Sequence, residues 1–418
     1  MAIDFSLSPE QKALQQSARE FAATHLARVR GIIAPLARPE ERFYATRPIY
    51  EEMVKAGFIT ALVPKAYGGT AMSTVDLALA TEELAAVDVN VPSALLGTGL
   101  GLEPIINYGT EEQKRRFLPQ FVSNQGTPLA AFGFTEVTGG SGFDTPDPNA
   151  GVQTIAVREG DEWVINGKKH YTTNACGWDG KGADLVSLVC RVGGDRPPQE
   201  SLAVIVVPGR APGVKVAGFL DTAGHRATSS PVMHFENVRV PYDNLIGRPG
   251  DGIGMCSRTF SWTAALIGAA CTGVMRAAFD CAFEFARKDK RSGTVPIIEH
   301  QNAGYMLADL KMRIEAARYL SWKACHYLDD TDRVGEELAI MTKVYTSELC
   351  VQVVYDAMRL VGVDSYTDLH PLAGLMQDAL CFPLYDGGNM GVRRRQLHRM
   401  FMRDGYDPMA AAEGRKPV

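Results

Sequence analysis

The chain has 418 residues, more than one hydrophobic core usually organises, so about two or three packed regions are expected. Hydrophobic residues at 46% and charged residues at 22% exclude a disordered or fibrous protein. A formal charge of -5 and a pI near 6.0 give no basic footprint, so neither nucleic acid nor an anionic membrane surface is expected as a partner.

Residues 1 to about 126 carry helical periodicity. In SLSPEQ, Ser8 can cap, Pro9 suits the first helical position and Gln11 completes a capping box. Leu14, Ala18, Phe21 and Leu26 then recur at helical spacing. TRPIYEEMVKAGF and TVDLALATEELAAVD continue the pattern, and VPKAYGGT and NYGTEEQKRRF break it. From about 127 to 247, short β-type runs such as PLAAFGF, EWVING, ADLVSLVCRV and LAVIVV take over, and REGDEW reads as a hairpin. From about 250 to 405 long helical segments return, and three or four helices of this length should pack as an antiparallel bundle. The uncharged run Thr259 to Met275 contains Ser, Thr and Gly and reads as a buried bundle helix rather than a bilayer span.

Eight cysteines are scattered singly, without CxxC pairs, as expected of core thiols in a reducing cytoplasm. MAIDFSLSPEQKALQQ has no basic stretch leading into an apolar one, so a cytoplasmic location is expected. No HExxH, EF-hand loop or Cys/His cluster supports a metal site. GTGLGLE, Gly97 to Glu103, follows no strand and lacks Gly-x-Gly-x-x-Gly spacing; it reads as helix packing, not a nicotinamide site.

Two segments carry more chemistry. FGFTEVTGGSGFD and DEWVINGKKHYTTNA offer hydroxyl and backbone N–H donors at strand ends and turns, which an acceptor-rich oxidised flavin ring requires. At this spacing they resemble two motifs of the acyl-CoA dehydrogenase superfamily of flavoproteins. The order of helices, β domain and helical bundle is similar over nearly the whole chain. The resemblance implies an α+β, mainly α fold: an N-terminal helical domain over 1–126, a small central β-barrel or sandwich over 127–247, and a C-terminal four-helix bundle over 248–418. It implies FAD as cofactor. Phe134, Thr135 and the segment Tyr171, Thr172 and Thr173 would lie against the flavin ring, with Gly140 and Ser141 nearer its ribityl and phosphate portion.

CFPLYDGGNMGVRRRQLHRMF holds a lone acid, Asp386, seven residues before Arg393. Members of the superfamily typically place Glu in this position, and Asp withdraws the carboxylate by about 1.5 Å, one C–C bond. An offset of that size can weaken catalysis about a hundredfold on a thioester posed for Glu, which points to a different substrate pose. Here the resemblance narrows to the nitroalkane oxidases of the superfamily, through ATRPIYEEMVKAG, GWDGKGADLVSLVCRV, IIEHQ and CFPLYDGGNMGVRRRQ. It implies Asp386 as the base, Arg393 as its partner, Thr263 and Thr173 in the places of active-site Ser residues, and Gly387 and Gly388 beside the cofactor. Asp386 would take the proton α to a nitro group and the flavin would accept electrons. Nitrite and an aldehyde or ketone would leave, and O2 would regenerate the cofactor with release of hydrogen peroxide. An arginine next to a buried carboxylate favours its charged form, as a base requires. The plainer reading of Asp386 is a helix N-cap. Of the cluster Arg393 to Arg395, two are expected on a solvated helix face or a subunit interface.

KRSGTVPIIEHQ corresponds to a superfamily segment that reaches the FAD pyrophosphate of a neighbouring subunit, which implies that role for Arg291, His300 and Gln301, with Gly362 nearby, and a homotetramer. Three departures bear on the substrate. Phe382 stands where nitroalkane oxidases have an active-site Tyr, two Ser positions are Thr, and TGGSGFD is closer to the acyl-CoA dehydrogenase form. The competing expectations are an acyl-CoA dehydrogenase with an Asp base, using an electron-transfer acceptor instead of O2, and a non-catalytic flavin-binding scaffold.

Overall fold

The structure, a computed structural model, describes residues 5–147, 149–194, 196–291, 293–332, 334–368 and 370–416. The chain opens with helices α1 (Pro9–His25), α2 (Val29–Ile33), α3 (Pro39–Ala45), α4 (Arg47–Lys55), α5 (Thr74–Ala85), α6 (Asn90–Tyr108) and α7 (Glu111–Phe117). The start of α1 is the capping box read from SLSPEQ: Gln11 N–H donates to Ser8 Oγ, and Ser8 N–H donates to Gln11 Oε1.

The strands follow: β1 (Ala130–Gly133), β2 (Ile155–Glu159), β3 (Glu162–His170) and β4 (Leu185–Val192), then the single-turn helix α8 (Pro198–Ser201), β5 (Leu202–Val207), β6 (Val214–Phe219), β7 (Pro231–Pro241) and β8 (Leu245–Ile246). They form one mixed sheet in the order β6-β7-β3-β2-β4-β5-β8, with β1 paired to β4 in parallel. REGDEW is the expected hairpin, with Glu159 facing Glu162 across a two-residue turn. Strands β4 and β5 are buried at every position; β5 is an unbroken apolar run and β4 is apolar apart from Ser187 and Arg191, as expected when both faces are covered.

The C-terminal region holds α9 (Gly252–Lys288), α10 (Gln301–Asp330), α11 (Glu336–Val361), α12 (Pro371–Cys381), α13 (Arg394–Phe401) and α14 (Ala410–Glu413). Helices α9 to α12 pack on one another as the bundle. Helix α9 is long and apolar enough to cross a bilayer, but it is mostly buried against α5, α10 and α11. Charge joins the first domain to the bundle. Glu82 and Glu83 of α5 are buried and paired with Arg276 of α9, Arg318 of α10 and Arg19 of α1 at 2.7–3.0 Å. Buried carboxylates need such partners because desolvating a lone charge is costly.

Candidate active site

Helix α12 ends at Cys381, and a tight loop carries the chain to Asp386. Asp386, Gly387 and Gly388 have φ of 53°, 89° and 57°. Glycine adopts that region freely and aspartate is among the few other residues that tolerate it. Asp386, the one residue of the three with a side chain, keeps this conformation because its surroundings fix it. Residues Gly388–Arg393 then form a π-helical turn, in which the Arg394 N–H donates to the Asn389 carbonyl five residues back. Single wide turns of this kind often occur at functional sites.

This turn brings Arg393 against Asp386. Arg393 Nη2 donates to Asp386 Oδ2 at 2.8 Å and to the Phe260 carbonyl at 2.9 Å. Its Nε donates to the Asp386 carbonyl at 2.9 Å, and Nη1 to Gln396 Oε1 at 3.2 Å. From α9, Thr263 Oγ1 donates to Asp386 Oδ1 at 2.7 Å. The side chains are 3% and 0% exposed for Asp386 and Arg393. Each carboxylate oxygen therefore accepts one strong bond and retains a second lone-pair site. The N-cap reading of Asp386 does not hold: its carboxylate bonds side chains, and no side chain caps the turn that follows. Of the other arginines, Arg394 is exposed and pairs with Glu348, whereas Arg395 reaches into the β domain to the Ser141 carbonyl and Asp144. Of the two expected on a solvated helix face or a subunit interface, Arg394 is on a solvated face.

The residues read as flavin-binding gather beside this pocket. Phe134, at the end of β1, packs its ring edge-on to Phe260 at 4.9 Å, the residue whose carbonyl Arg393 grips. Gly140 lies so close to Phe134 that a Cβ would come within 2.4 Å of the ring. Ser141 abuts Gly391 of the π turn. The Thr135 carbonyl accepts from His170 N–H at 2.8 Å, which brings Thr135 next to Tyr171, Thr172 and Thr173. Tyr171 is exposed with φ 54°, and Thr172 Oγ1 is buried with no hydrogen-bond partner among the described residues. A buried hydroxyl without a partner calls for a ligand atom, and a ring rich in nitrogen and oxygen acceptors suits it. These residues fit FAD.

Arg291, His300, Gln301 and Gly362 are not part of this gathering. Arg291 pairs with Asp364 at 2.6 Å, next to Gly362 at the end of α11, and with Asp289. Gln301 bonds Tyr305 in the first turn of α10. Thr263 and Lys288 lie 25 residues apart on α9, about 37 Å of helix rise, so this group belongs to the opposite end of the bundle.

Models of the acyl-CoA dehydrogenase N-terminal, middle and C-terminal domains match residues 8–125, 131–238 and 250–402. The chain belongs to the acyl-CoA dehydrogenase family. Within that family it is 38% identical to a nitroalkane oxidase of Fusarium oxysporum, over 100% of this chain and 99% of that protein. It is also 38% identical to a nitroalkane oxidase of Podospora anserina, over 100% of each chain. A solved nitroalkane oxidase, an active-site mutant crystallized with 1-nitrooctane, superposes with a TM-score of 0.95 at 38% identity, covering 99% of this chain and 100% of that one. In another solved structure of equal similarity, an arginine and an aspartate were analysed for their roles in the reaction of that flavoprotein.

Three sets of residues at this family site escaped the sequence reading. Phe260 links the flavin side to Arg393. Glu136 and Lys169 form a buried pair at 2.8 Å, and Lys169 Nζ also donates to the Phe134 carbonyl at 3.1 Å. Burial alone would raise the Glu136 carboxyl, but the Lys169 charge and the hydrogen bonds from Lys169, Thr154 and Gln153 hold it below the usual range. The pair fixes the end of β1 to β3. Lys343 of α11, fully buried, is the third; burial pulls its ammonium down to about 8. Glu136 and Lys169 lie inside the two quoted motifs and could have been read from them. Lys343 gave no signal, because a lysine in a helical pattern reads as solvent-facing.

Proposed function

We propose that this chain is an FAD-dependent oxidase of nitroalkanes or related carbon acids, with Asp386 as the base. The observation that carries it is the buried Asp386, bonded to Arg393 and Thr263 beside residues that fit a flavin, in a chain 38% identical to nitroalkane oxidases end to end. When bound, FAD supplies the acceptor for the two electrons removed from substrate.

Asp386 takes the proton from the carbon α to the nitro group. A nitro group spreads the resulting charge, so an ordinary carboxylate is strong enough. Arg393 holds the carboxylate in place with a two-nitrogen grip on its side chain and carbonyl, and Thr263 fixes the rotation of the other oxygen. With O2 as oxidant the balance is one nitroalkane, one O2 and one water giving one aldehyde or ketone, one nitrous acid and one hydrogen peroxide. The cofactor-side roles of Phe134, Thr135, Gly140, Ser141, Tyr171 to Thr173, Gly387 and Gly388 belong to this reading. So does a homotetramer in which Arg291, His300, Gln301 and Gly362 serve a neighbouring subunit's FAD; their distance from Asp386 supports it, and sedimentation of the holoenzyme tests it.

The deciding experiment mixes the yellow holoenzyme anaerobically with nitroethane and, separately, with a panel of acyl-CoA thioesters. Nitroethane should remove the visible flavin absorbance, and in air should yield nitrite and peroxide. Bleaching by a thioester and none by nitroethane would transfer the chain to the dehydrogenase reading.

A further inference from the structure

We propose that Lys343 is a positioning residue for Asp386: its ammonium clasps the two ends of the loop that carries the base, at the Phe382 carbonyl and the Asn389 side chain. The inference rests on the nitroalkane reading and assigns a role to a buried cation that the proton transfer itself does not use.

Lys343 Nζ donates to the Phe382 carbonyl at 2.6 Å and to Asn389 Oδ1 at 3.0 Å. Its charge lies 5.7 Å from the centre of the Tyr385 ring, the residue just before the base. Asn389 is held from behind as well: its Nδ2 donates to Ser347 Oγ at 2.9 Å and to Glu348 Oε1 at 3.1 Å, both on α11. The Asn389 N–H closes the loop on the Pro383 carbonyl at 2.9 Å. One helix thus holds both ends of a loop whose middle contains three successive left-handed residues.

A buried ammonium is costly to desolvate, so the fold retains one only where its bonds and charge matter. Burial lowers the affinity of Lys343 for its proton, the nearby Asp386 charge opposes that, and Arg393 adds to it. Lys343 and Arg393 both grip the base loop, Lys343 at its ends and Arg393 at Asp386. The aim of the carboxylate at the substrate carbon follows from both.

The test uses full-length, FAD-loaded protein with Lys343→Met, and follows anaerobic flavin reduction by two substrates. Neutral nitroethane must lose a proton to Asp386; nitroethane anion, prepared beforehand in base, has already lost it. A displaced base should slow reduction by neutral nitroethane about tenfold to a hundredfold, while reduction by the anion stays within about twofold of the parent. An unchanged rate with neutral nitroethane overturns the inference, and so does an equal loss with both substrates, which is what a purely structural role gives. Losing the ammonium leaves two buried acceptors without a donor, so Lys343→Met can fail to take up FAD. In that case Asn389→Ala, which removes one acceptor and spares the ammonium, is read in the same way with an expected loss of about threefold to tenfold for neutral nitroethane alone. A parent that nitroethane does not reduce defeats the reaction assignment instead, a result seen before any variant is made.

Discussion

Arg393 makes four hydrogen bonds with three nitrogens, and the planar fork of a guanidinium is what allows it to hold the Asp386 side chain, the Asp386 carbonyl, Phe260 and Gln396 at once. An ammonium is a point donor that cannot reproduce that fork. Arg393→Lys should therefore keep FAD yet lose about tenfold to a hundredfold in kcat/KM with nitroethane, measured by nitrite release. Retention of full activity would show that charge alone suffices. The Asp386 and Arg393 pairing was legible through the resemblance, whose motif holds both residues in one short segment. Phe260 and Lys343 were not, because their contribution is a carbonyl or an ammonium brought in from 126 and 43 residues before Asp386; no local pattern records such a contact.

Among the elements, α6 sets the position of β1. A Cβ on Gly101 would come within 2.5 Å of the Ala131 nitrogen and 2.8 Å of the Ala130 carbonyl carbon, both backbone atoms that cannot turn aside. Gly101→Ala should push the helix off the strand that leads into Phe134, at a cost of about 1–3 kcal/mol. A lower melting temperature and a lower ratio of flavin to protein in the purified variant are expected, and a variant with unchanged flavin content would contradict this. The reading of GTGLGLE as helix packing agrees with that contact. The π turn after Asp386 was not legible: it adds one residue to a single turn, too little to disturb the hydrophobic periodicity that marks a helix.

At the scale of the molecule, the three parts meet at His225. It follows β6 and carries φ 50°, its N–H donates to Asp378 of α12 at 2.7 Å, and its ring approaches Ser93 of α6 and packs edge-on to Phe382. Burial pushes the imidazole below its usual range, against the pull of Asp378, so the folded state holds it neutral. The unfolded chain protonates it near the ordinary value of about 6.5. Stability from this residue is therefore present above that pH and lost as pH falls through it. Asp88 nearby acts in the opposite sense, since burial raises it to about 6 and its neutral form favours the folded state on acidification. His225→Asn, which tolerates the same φ and does not titrate, should lose less melting temperature than the parent between pH 8 and about 5.5. An equally steep fall would show that His225 contributes nothing to the acid side. The order of helices, sheet and bundle was legible because the hydrophobic period changes along the chain. Junction contacts such as His225 with Asp378, 153 residues apart, leave no such trace.

The base itself is tested most directly by Asp386→Asn, which keeps the shape of the side chain and removes its charge. In anaerobic single turnovers the variant should reduce its flavin with neutral nitroethane about a hundredfold to ten-thousandfold more slowly than the parent, the usual contribution of a general base, while still accepting preformed nitroethane anion. Reduction by neutral nitroethane at the parent's rate would contradict the account.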